Sequence, residues 1–189
     1  MTFMPLAVWP SLLALLAVLC WPSVHARAER PAVRPPELSQ AAGELTLRGH
    51  ARFRFWGFEV YDASLWTGPS FDAASPHSQV LALELRYLRD FAGKDIAERS
   101  LKEMRRVDAI NAEQEKRWLT EMQRVFPDIR KGDRLLGVQR PGRAAVFWFN
   151  GQLRGEVADP EFARRFFGIW LSPRTSEPAL RQALLGMPA

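Results

Sequence analysis

The sequence predicts an α+β domain in which an antiparallel sheet carries helices on one face. Three observations carry the prediction. Strand-like alternation dominates residues 43–88. Two helix-period stripes follow between Gly93 and Val125. Three short strands divided by turn signals then cross Asp133–Val157, ahead of two more helices. Strands and helices come in blocks rather than in βαβ alternation, so neighbouring strands pair antiparallel.

The first strand is "GELTLRG" (Gly43–Gly49), which alternates, with Gly49 marking a bend. Next comes "ARFRFWGFEVYDASLW" (Ala51–Trp66), one long strand or two. Phe53 and Phe55 point one way; Arg52, Arg54 and Trp56 point the other. The alternation changes parity at Gly57, which predicts a bulge there. Thr67–Ser78 is a loop, and Gln79–Leu88 is a strand with Glu84 and Arg86 on one face.

The first long helix, Gly93–Val107, aligns Ile96, Ser100 and Met104 with Ala97 and Leu101 beside them. "NAEQ" (Asn111–Gln114) supplies an N-cap and its capping-box partner for a second helix. That helix carries Trp118, Met122 and Val125 on its stripe and ends before Pro127. Pro141–Gly142 and Asn150–Gly151 separate the three later strands, and Asn-Gly predicts a type I′ turn. In "DPEF", Asp159 caps a helix with Pro160 at its first position. Phe162, Phe166 and Phe167 form its buried face. A last short helix in Thr175–Gly186 stops at Gly186.

The N-terminus reads as an export signal rather than as fold. Residues 1–26 hold no Asp, Glu, Lys or Arg, and "SLLALLAVLC" supplies an apolar core. "VHA" places Val24 and Ala26 at a signal-peptidase site, with cleavage after Ala28 as the competitor. Pro10 and Pro22 bracket a run shorter than the ~20 residues that spanning needs. Leu19 before Cys20 is too large for a lipobox, so no lipid anchor is expected. The expected organisation is a signal peptide (1–26), a Pro-rich mobile lead-in (27–42) and one domain (43–186), in the periplasm or secreted.

Loss of residues 1–26 removes the only cysteine and leaves His50 and His77. No disulfide, metal site or cofactor is expected. The net charge of +5 stays on the mature domain, and the pI is near 10.0. Such a balance permits anionic surfaces or anionic small ligands. No phosphate loop is present: "GDRLLG" lacks the Lys-Ser/Thr ending. No G-x-S-x-G elbow is present either. His77 lies in a loop beside Pro76 and reads as a surface histidine. The pairs Glu98/Glu103 and Glu113/Glu115 read as surface partners on helices rich in Lys and Arg. Arg99, Lys102, Arg105 and Arg106 form a basic helix edge, but the aromatic residues fall on core stripes, so nucleic acid is not the expected partner.

Several segments together resemble the exported bacterial branch of the chalcone isomerase-like superfamily. They are "GFEVYDASLW", "LELRYLRDFAGKDIAERSLKEM", "GDRLLGV" and "FWFNGQLRGEVADPEFARRFFGIWLSPRTSEPALRQALLG". The resemblance covers Gly43–Gly186 and is most specific in its C-terminal run. It implies an open-faced β-sandwich: a long antiparallel sheet backed by helices, with a ligand cleft between them. Some relatives implied by it cyclise chalcones; others bind fatty acids without catalysis. The enzymes carry a tyrosine near the start of the first long helix and an asparagine two turns on. "FAGKDIAERS" holds neither, so chalcone cyclisation is not expected.

The resemblance also implies an arginine early in the sheet that holds an anionic or carbonyl oxygen in the cleft. Arg52 and Arg54 are the candidates, with Arg48 a third, and Trp56 and Tyr61 complete the expected ligand-binding set. The alternative puts the arginines on the solvent face, their stems covering apolar neighbours. The first reading is a binding protein for a small apolar anion such as a fatty acid, with no stable membrane insertion once the signal is removed. An isomerase or intramolecular lyase of unknown substrate is second. A structural protein without a small ligand is third.

Overall fold

The structure is a computed structural model and describes residues 33–187. The expected signal peptide, both cleavage sites and Cys20 lie outside them. Six strands form one antiparallel sheet in which every strand pairs its sequence neighbours. They are β1 (Thr46–Phe55), β2 (Phe58–Thr67), β3 (Leu81–Tyr87), β4 (Arg134–Arg140), β5 (Ala144–Phe149) and β6 (Gln152–Val157). Between β3 and β4 stand α2 (Gly93–Val107) and α3 (Ala112–Val125). After β6 come α4 (Pro160–Leu171) and α5 (Pro178–Leu185). A short helix, α1 (Leu38–Ala42), precedes β1. This is the predicted α+β architecture, a long antiparallel sheet backed by helices.

Period-2 alternation sorts each strand between two apolar clusters. Leu65, Leu83, Leu85 and Phe147 face the four long helices and join Met104, Trp118, Phe162 and Phe166 in the main core. Trp66, Leu136, Val138 and Trp148 face the other way and meet Leu38 of α1. The Pro-rich segment is thus not wholly a mobile lead-in. Leu38 is fully buried, and the Glu37 carboxylate lies 2.7 Å from the Arg134 guanidinium. One leucine and one ion pair leave no periodic signature in a sequence.

Two glycines do work that the alternation misplaces. Gly57 is not a bulge: Trp56 (φ 49°) and Gly57 (φ 80°) form the two-residue turn of the β1–β2 hairpin. The parity change is real, but the register shift lies between Phe53 and Arg54 of β1, opposite Val60. Gly49 does not end a strand, although the β1–β2 register also shifts between Leu47 and Gly49, where the sequence predicts a bend. It lies within β1, and α5 packs against it so closely that an added Cβ would sit 2.2 Å from the Ala183 carbonyl oxygen.

At the β5–β6 turn, Asn150 (φ 49°) and Gly151 (φ 86°) are both left-handed, as a type I′ turn requires. Gly151→Val is expected to destabilise the domain by more than ~1 kcal/mol, because a β-branched residue is disfavoured there. A urea denaturation midpoint equal to that of the parent would contradict this.

Candidate apolar cleft

β1 and β2 extend past the helices that cover the rest of the sheet. Their inner aromatic residues therefore lack a full lid: Phe53 is half-buried, Phe55 is 43% exposed and Phe58 is 60% exposed. The gap between this end of the sheet and α2, α4 and α5 is a cleft of about 410 Å³. That lies within the ~300–1,000 Å³ of small-molecule sites. The sheet contributes Phe53, Phe55, Phe58, Val60, Tyr61, Leu85 and Tyr87. The helices contribute Ile96, Phe166, Ile169, Trp170 and Leu180. Burial around the cleft explains the state of its phenols. It pushes both Tyr61 and Tyr87 well above the usual tyrosine range, so both remain neutral hydroxyls. The Trp170 indole N–H donates to the Tyr61 oxygen at 3.0 Å.

The polar part of the wall is carried by α2 and the residues before α5. Arg99 lies 3.0 Å from the Glu103 carboxylate and 5.4 Å from the centre of the Phe55 ring. The Ser176 hydroxyl donates to the other Glu103 oxygen at 2.9 Å. Burial raises the Glu177 carboxyl, Glu103 adds to this, and Arg99 opposes it. Arg89, the second cation of the lining, lies 4.7 Å from the centre of the Phe58 ring. Among the described residues no three His, Cys, Asp or Glu side chains converge into a metal-binding group.

Of the four expected ligand-binding residues, the structure places Tyr61 in the cleft wall and the other three outside it. Arg52 forks onto Asp62 on the far side of the sheet, with Nε–Oδ1 at 2.6 Å and Nη2–Oδ2 at 2.9 Å, and also binds Glu59 at 2.9 Å. These carboxylates raise the Arg52 pKa further. Arg54 shares Glu59 at 3.2 Å. Trp56 projects into solvent from the hairpin turn. Arg48 donates to the Leu185 carbonyl at 2.9 Å and likewise lies outside the lining. The expectation of a cleft-facing Arg52 or Arg54 is therefore corrected. The reason is plain alternation: Phe53 and Phe55 occupy the inner face, so their neighbours cannot.

The sequence misses Arg89, Arg99, Glu103 and Glu177. Arg99 does flank the Ile96–Ser100–Met104 stripe, which is the one local sign of its position. Glu103 is not the surface residue the sequence predicts; it is buried and is shared by Arg99, Arg106 and Ser176. The start of α2 faces the cleft, as the resemblance implies, but it presents Asp95, Ile96, Arg99 and Ser100 there.

A family model described as chalcone isomerase-like matches residues 32–186. A Haemophilus influenzae protein described as uncharacterized is 31% identical over 138 residues, 73% of this chain and 66% of that protein. The chain thus spans just under two thirds of that relative's length. The crystal structure of an Arabidopsis thaliana fatty-acid binding protein superposes with a TM-score of 0.58. It covers 75% of this chain and 86% of that one at 11% identity, a likeness of fold. The chain belongs to the chalcone isomerase-like family.

Proposed function

We propose that this is an exported protein that holds a small apolar anion, such as a fatty acid, in the cleft and does not cyclise chalcones. The observation that carries the reading is the cleft itself: an open, mostly apolar slot rich in aromatic rings, with the two cations Arg89 and Arg99 in its wall. An acyl chain would lie among the Phe, Ile and Leu side chains, where removal from water is favourable by about 25 cal/mol per Å². A carboxylate would meet a guanidinium, the side chain best shaped to bind it. The fold is shared with a protein named for fatty-acid binding. The uncharged apolar leader supports export.

Titration with a fluorescent fatty acid tests the reading. Replacing both Arg89→Gln and Arg99→Gln should weaken binding at least about tenfold, or ~1.4 kcal/mol. Arg52→Lys, on the far face, should change little. The fatty alcohol of equal length should be almost insensitive to the arginine pair. No saturable binding by the parent protein would remove the proposal.

The second reading, an isomerase or intramolecular lyase of unknown substrate, is favoured by one observation. Glu177 lines the cleft with a carboxyl raised by burial, as a proton carrier requires. Chalcone is not its expected substrate, because the buried phenols of Tyr61 and Tyr87 stay protonated and α2 supplies no replacement. A spectrophotometric assay with a chalcone should show no turnover above background. A rate of about 1 per second or more would establish enzymatic cyclisation.

A further inference from the structure

We propose that the tip of the β1–β2 hairpin docks the protein on an anionic lipid surface, with the mouth of the cleft turned toward the bilayer. Trp56 is 87% exposed and holds a left-handed turn position (φ 49°). Bulky residues are disfavoured in that conformation, where Asn and Asp are common. The chain thus places a large aromatic group in water at a site that suits a small polar one. Its ring stacks on Phe55 at 5.6 Å with an interplanar angle of 11°, and Phe58 follows across the turn. The three make one continuous apolar tip, unlike scattered surface hydrophobes, which need no explanation.

Charge surrounds this tip. Arg99 packs over Phe55 and Arg89 over Phe58. Arg54 precedes the turn with more than half of its side chain exposed. Glu59 partly neutralises Arg54, and Glu103 partly neutralises Arg99. Arg89 has no acidic partner among the described residues, and the whole chain carries +5. Aromatic rings with arginines beside them suit the headgroup level of a bilayer, where Trp is enriched and each basic side chain near an anionic surface contributes about 1 kcal/mol. Among the described residues no helix is long and apolar enough to cross a membrane.

Shape selects a bilayer over a folded partner. The exposed parts of Phe55, Trp56 and Phe58 offer at most about 500 Å², short of the ~800 Å² per partner of a stable protein interface. A lipid surface requires no matching groove. Phe55 and Phe58 also line the cleft, so an apolar ligand could pass from bilayer to cleft without crossing water. Only that last point rests on the proposed ligand.

The test places an environment-sensitive fluorophore on the full chain through Trp56→Cys in a Cys20→Ser background. The control site is Arg143→Cys, in the β4–β5 turn at the opposite end of the sheet. With phosphatidylglycerol–phosphatidylcholine vesicles, the probe at position 56 should shift to the blue and be quenched by headgroup-level spin labels. The probe at position 143 should not respond, and salt should weaken the response. In the unlabelled chain, Trp56→Ser should lower vesicle partitioning about tenfold, since the loss of one interfacial aromatic anchor is large, and leave fatty-acid titration unchanged. Vesicle partitioning of Trp56→Ser equal to that of the parent overturns the proposal. A probe at position 56 that stays silent while the labelled chain is bound to vesicles does the same. So does an equal response to phosphatidylcholine alone. A shift that grows with protein concentration and needs no vesicles would assign the tip to a second copy instead.

Discussion

Phe166→Ala is expected to remove about 3–5 kcal/mol of stability, the cost of deleting a buried aromatic ring and leaving a cavity. Phe166 is 4% exposed and sits at the centre of the aromatic core. Its ring lies 5.2 Å from Phe147 and 5.4 Å from both Phe167 and Trp170. Phe162 stacks on it at 5.5 Å, and Phe126 lies at 5.8 Å. These rings come from β5, α4 and the end of α3, so one side chain joins the sheet to two helices. A domain of this size has about 5–15 kcal/mol in hand, and the loss is a large share of it. Phe55→Ala gives the contrast. Phe55 lines the same cleft but is 43% exposed, and its loss should cost less than about 1 kcal/mol. Chemical denaturation of the two variants decides the matter. Equal midpoints would mean that the cleft wall, not the ring cluster, bears the packing.

Depth also explains what the sequence discloses. Signals within a few residues read correctly, because both partners of the interaction are adjacent in the chain. At "NAEQ" the Gln114 amide donates to Asn111 at 2.8 Å, and the Asn111 amide donates back to the Gln114 side chain at 3.1 Å. The turn at Asn150–Gly151 and the stripes of α2, α3 and α4 belong to the same class. The Trp56–Gly57 turn does not, since nothing in "FWGF" resembles the usual Asn-Gly or Asp-Gly pair. A tryptophan hides a turn that geometry then imposes.

The site is less legible for a related reason. Arg99 reaches the cleft from α2, and its guanidinium meets the Phe55 ring of β1 from far along the chain. No local pattern encodes that approach. Arg52 and Arg54 illustrate the opposite error. Their alternation with Phe53 and Phe55 already opposes a cleft-facing role, and Asp62 and Glu59 on the paired strand complete the argument. The resemblance implies an arginine early in the sheet, but the arginines that line the cleft come from the loop after β3 and from α2.

The other large effect is expected at Asp159, a residue with two structural tasks. One carboxylate oxygen accepts from the amides of Glu161 at 2.9 Å and Phe162 at 3.1 Å, capping α4. The other accepts from the Trp118 indole at 2.8 Å and from Arg117 at 3.0 Å. Trp118 is fully buried, so without Asp159 its N–H has no acceptor and no water. Loss of the cap costs about 1 kcal/mol and the orphaned donor about 1–3, so Asp159→Ala should cost about 2–4 kcal/mol. Asp159→Asn keeps a capping oxygen but loses an acceptor on the indole side, so it should fall between the two. Acid gives a further test. Burial alone would raise this carboxyl, but its four donors outweigh burial and hold it below its ordinary value of 3.8. A carboxyl lowered on folding stabilises above its unfolded pKa and loses that contribution as pH falls through its folded value. The stability gap between the parent and Asp159→Ala should therefore be full at neutral pH and narrow below about pH 3.8. A gap that stays constant into acid would show that the charge on Asp159 contributes nothing, leaving only the shape of the cap.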